Sequence, residues 1–74
     1  MEELMELLEE IKPEADFENC ETLIDDGILS SFDVLSIVAE LEETYDIRIL
    51  PAQIIPANFN SAKAIYAMVQ SLKK

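Results

Sequence analysis

The chain has 74 residues, half of them hydrophobic, and its 16 acidic and 5 basic side chains give a formal net charge of −11. That length carries one domain, spanning 1–74, with a core near the lower limit for independent folding. The charge argues against nucleic-acid phosphates, whose binding needs a basic patch, and against an anionic membrane surface. A basic protein surface is the complementary partner.

There is no histidine, which removes the commonest general base and the commonest zinc ligand. The single cysteine, Cys20, excludes an internal disulfide framework and reads as a structural thiol. The opening MEELMELLEE lacks the basic start and apolar run of a signal peptide, and no stretch approaches the length of a membrane span. A cytoplasmic monomer is expected.

The first element is a helix from Glu2 to about Ile11, with Leu4, Leu7, Leu8 and Ile11 at helical spacing between glutamates. Pro13 ends it. Residues 13–30, PEADFENCETLIDDGILS, form a long connection. Phe17, Leu23, Ile24, Ile28 and Leu29 are too apolar for a solvated linker, so this loop is expected to pack on the core. Gly27, the only glycine, is expected at a turn with positive φ.

A second helix begins at Ser30-Ser31 and runs to Thr44 or Tyr45, with Val34, Leu35, Ile37, Val38, Leu41 and Tyr45 as its apolar face. Residues 46–50, DIRIL, alternate as a strand would but lack a partner strand, and read as an extended connector. Pro51 opens a short helix, PAQII, limited by Pro56. A last helix starts near Asn60 or Ser61, both good caps, and continues through Ala62, Ile65, Val69 and Leu72. The fold class is all-α: a small bundle of three main helices plus one short helix, with a long packed loop between the first two.

Ser30 and Asp33 fit the capping-box pattern. Capping accounts for Ser30 and leaves Ser31 at the first helical position with a free hydroxyl. Ser31 is poorly equipped as a nucleophile, because only carboxylates stand near it in the sequence. It suits the role of an acceptor, modified by an enzyme that brings its own base, and a helix N-terminus favours a phosphorylated product.

The run from Leu23 to Ile47, LIDDGILSSFDVLSIVAELEETYDI, resembles the acyl and peptidyl carrier proteins. In that family Asp-Ser-Leu or Asp-Ser-Met opens an acidic helix that ends in acids, an aromatic, one residue and an isoleucine. Glu42-Glu43-Thr44-Tyr45-Asp46-Ile47 is similar to that ending, and FNSAKAIYAMV to the start of the family's final helix. Ser30 stands where the family usually has Asp, and Phe32 where it has Leu or Met.

The resemblance implies a non-catalytic carrier whose Ser31 bears 4′-phosphopantetheine. A separate phosphopantetheinyl transferase would attach the arm, and the arm would carry an acyl or aminoacyl group as a thioester. Partners would be that transferase and the ligases or synthases that load and unload the arm, each with a basic docking surface. Phe32, Asp33, Ser36, Ala39, Glu40 and Glu43 would form the docking face. The resemblance leans toward stand-alone carriers, including the D-alanyl carriers of teichoic acid decoration. Val34, Val38 and Ile54 read as core, part of which lines a slot for arm or cargo in this family.

The alternative is an unmodified acidic helical module for protein–protein interaction. A calcium loop, suggested by Asp25-Asp26-Gly27, fails because the sixth-position count back from Gly27 reaches Thr22 in place of an acid.

Overall fold

The structure, a computed structural model, describes residues 2–73. Helix α1 spans Glu2–Ile11, α2 Ser31–Tyr45, α3 Pro56–Phe59 and α4 Ala62–Leu72, with a 3-10 turn at Pro51–Gln53. The bundle is all-helical, as the spacing of apolar residues implies.

Each long helix turns one stripe inward. Leu4, Leu7 and Leu8 of α1, Ile37, Val38 and Leu41 of α2, and Ile65, Met68 and Val69 of α4 form the centre. Phe17, Leu23 and Leu29 from the long connection join them, and Ile24 and Ile28 pack against them half-buried. The loop is therefore a wall of the core, as its apolar content implies. Among the described residues no polar or charged residue is buried, so the core between the helices is wholly apolar.

Local chemistry sets the boundaries. Ser30 is the N-cap of α2: its Oγ accepts from Asp33 N at 3.2 Å, and Asp33 Oδ2 accepts from Ser30 N at 3.0 Å. Two of the first-turn amides that α2 would otherwise leave unpaired are satisfied in this way. At the other end Asp46 adopts φ 53°, and its N–H and that of Ile47 both donate to Glu42 O, a Schellman-type end without glycine. Glu42 Oε2 then accepts from Ile49 N at 2.9 Å, which steers the extended connector back onto the core, where Ile49 is buried. Gly27 takes the positive φ, 73°, that its turn requires. Ser61 caps α4, accepting from Ala64 N at 3.0 Å.

Three details depart from the periodic reading. Leu35, assigned to the apolar face of α2, is 60% exposed, because the core takes up only Val34, Ile37, Val38 and Leu41. Ile11 is only partly buried at the end of α1. Pro56, read as a stop, sits in the first turn of α3, where its fixed φ suits a helix start and its missing N–H costs nothing. The expected PAQII helix is thus a single 3-10 turn followed by a second short helix.

Candidate functional site

The N-terminus of α2 gathers the residues of interest. Ser31 is its first helical residue and is exposed. Among the described residues its hydroxyl makes no hydrogen bond, whereas the hydroxyl of its neighbour Ser30 is committed to the cap. The first helical bond is donated by Val34 N to Ser30 O at 3.0 Å. The amides of Ser31 and Phe32 precede that bond and point outward along the axis, where a helix presents partial positive charge.

Asp33 is doubly engaged. Besides accepting from Ser30 N, its Oδ2 lies 2.9 Å from Lys12 Nζ, an ion pair that ties the end of α1 to the start of α2. The Ser30 amide, and then Lys12, hold the Asp33 carboxyl below its ordinary value. The hydrogen bond to Asp33 in turn raises Lys12. Lys12 thereby offsets the one carboxylate that stands in the first turn beside Ser31.

The other residues of the expected docking face are spread along α2. Phe32 is 77% exposed, Ala39, Glu40 and Glu43 are exposed, and Ser36 is half-buried. They share the outer side of the helix with Ser31. Asp33 belongs to the cap and the ion pair as much as to that surface.

A groove of about 270 Å³ opens beside Ser31. One side is α2, through Ser31, Val34 and Leu35; the other is Ile54, Ile55, Pro56 and Phe59; Ile24 of the long loop closes it. Its lining is apolar except for the serine. Ile55 and Leu35, 44% and 60% exposed, form its lips. Val34 and Ile54, which the sequence places in the core, line this groove, and Val38 does not.

Sequence reading missed Ile24, Leu35, Ile55, Pro56 and Phe59 as a set. The available signal was the Ile54-Ile55-Pro56 run, too apolar for a solvated connector. Among the described residues no helix is long and apolar enough to cross a membrane. No family model, no curated protein and no solved structure matches this chain.

Proposed function

We propose that the protein is an acyl carrier whose Ser31 receives 4′-phosphopantetheine and whose helix α2 docks the enzymes that load and unload the arm. The observation that carries this reading is the division of labour between the two serines. Ser30 is consumed by the cap, while Ser31, one residue on, keeps a free hydroxyl at the mouth of an apolar groove. The resemblance of residues 23–47 to carrier proteins supplies the identity of the group.

The chain's own residues fit that group. The free amides of the first turn suit a phosphate on Ser31, and Lys12 offsets the charge of Asp33 beside it. Ile24, Leu35 and Ile55 offer apolar contact along the groove. When attached, the arm supplies a terminal thiol that holds acyl or aminoacyl cargo as a thioester. The protein contributes a rigid attachment point, a desolvating groove and an acidic, partly apolar docking face. Phe32 supplies apolar area at the end of that face beside Ser31, and Glu40 and Glu43 supply charge for steering a basic partner.

Intact-protein mass spectrometry tests the reading. Incubation with coenzyme A and a broad-specificity phosphopantetheinyl transferase is expected to add one phosphopantetheine to the wild type and none to Ser31→Ala. A wild type that never gains the mass, or a Ser31→Ala that does, overturns it in favour of an unmodified acidic interaction module.

A further inference from the structure

The loop residue that closes the groove, Ile24, and the α3 side come from segments far apart in sequence, and one residue joins them. Asn60 follows α3 directly. Its Oδ1 accepts from Ile24 N at 2.9 Å and from Asp25 N at 3.1 Å, and its Nδ2 donates to Asp25 Oδ2 at 3.3 Å. Its backbone carbonyl accepts from Leu23 N at 2.9 Å. The loop thus gives three consecutive amides to one residue. Leu29 N in turn donates to Leu23 O at 3.0 Å, which fixes the segment leading into Ser30 and Ser31.

We propose that Asn60 is the positioning residue of the Ser31 site. It clamps Ile24, which closes the groove, to the α3 side and so fixes the shape of the groove beside the serine. The inference rests on the carrier reading only for its functional consequence; the clamp is a property of the unmodified chain. An amide side chain is the one that can do this. Its oxygen serves the two loop amides, while its nitrogen meets the Asp25 carboxylate as a donor. An aspartate there keeps the acceptor and sets two carboxylates face to face.

The test uses a reciprocal exchange. Asn60→Asp breaks the contact with Asp25 by repulsion. Asn60→Asp combined with Asp25→Asn restores it with donor and acceptor reversed and the net charge unchanged. In transferase assays on the full chain, Asn60→Asp is expected to raise KM for the carrier by about fivefold, the scale of one net hydrogen bond, with kcat unchanged. The double variant is expected to return within about twofold of wild type. A core change outside the groove, Leu4→Val, serves as the control for lost stability and is expected to leave KM unmoved.

On the unmodified protein, methyl NMR is expected to show Ile24 and Ile55 shifting together in Asn60→Asp and recovering in the double variant. An unchanged KM in Asn60→Asp, no recovery in the exchange, or an equal KM rise in Leu4→Val refutes the positioning role. If the wild type is never loaded, the carrier reading falls, and the methyl shifts alone still decide the clamp: recovery upholds it and their absence refutes it.

Discussion

Replacing the two serines one at a time separates a structural hydroxyl from a free one. In Ser30→Ala, Asp33 N loses its acceptor at 3.2 Å, but the reciprocal bond survives, because Asp33 Oδ2 takes the backbone N–H of residue 30 whatever its side chain. Half of the capping box is lost, and the orphaned amide stands at the surface, where water reaches it. The cost is therefore about 1 kcal/mol, the middle of the range for removing a cap. For a domain of this size that lowers the melting temperature by about 4–8 °C. Ser31→Ala breaks no side-chain hydrogen bond and puts the best helix former at an exposed helical position, so stability is expected to change by less than about 0.5 kcal/mol. Urea denaturation and thermal melts followed by circular dichroism read both. Equal losses in the two variants, or a larger loss in Ser31→Ala, refute the assignment of the cap to Ser30.

On α2, Leu41→Ala is expected to cost about 2–5 kcal/mol, since Leu41 is fully buried, whereas Leu35→Ala should cost less than about 0.5 kcal/mol; chemical denaturation that ranks them the other way would show the inward face misassigned. The folded-state pKa of Asp33 lies below its ordinary 3.8, so its contribution to stability is fully present above that value and is lost as the pH falls through the folded value. The stability gap between wild type and Asp33→Asn is therefore expected to be constant above about pH 5 and to close on further acidification; a gap that widens in acid would reverse the argument. Association with a basic partner is expected to slow with added salt and on charge reversal at Glu40 and Glu43, with unfolding midpoints little changed, as stopped-flow kinetics can measure.

The helices were legible because their causes are local. Ser30 and Asp33 stand three apart, Ser61 precedes an apolar stripe, and Gly27 is the one residue free to take positive φ at no steric cost, so caps and turns follow from neighbours in the chain. The groove was not legible, because its causes are distant. Leu35 stands next to Val34 in the chain and is as apolar, and only the tertiary packing leaves one exposed and the other buried. Pro56 carries the same local preference whether it ends one helix or begins another; the 3-10 turn at Pro51–Gln53 decides between them. Asn60 and Ile24 are 36 residues apart, a separation that no periodicity spans. Asp33 was legible as the capping-box acid and as part of the docking face, but its ion pair was not, because its partner Lys12 lies 21 residues upstream.

That separation also orders events during synthesis. The loop that leads into Ser31 is complete by residue 30, yet the carbonyl and amide that fasten it are on residue 60. Until the chain has grown that far, Leu23, Ile24 and Asp25 lack the partner that their amides have in the folded chain. Closing a segment of this length costs little more entropy than closing a shorter one, so the wait is set by elongation. The segment that carries the serine thus stays unfastened for about 1.5–6 seconds at ordinary elongation rates of about 5–20 residues per second. An enzyme that requires the finished groove would pass over the growing chain and act on the released protein.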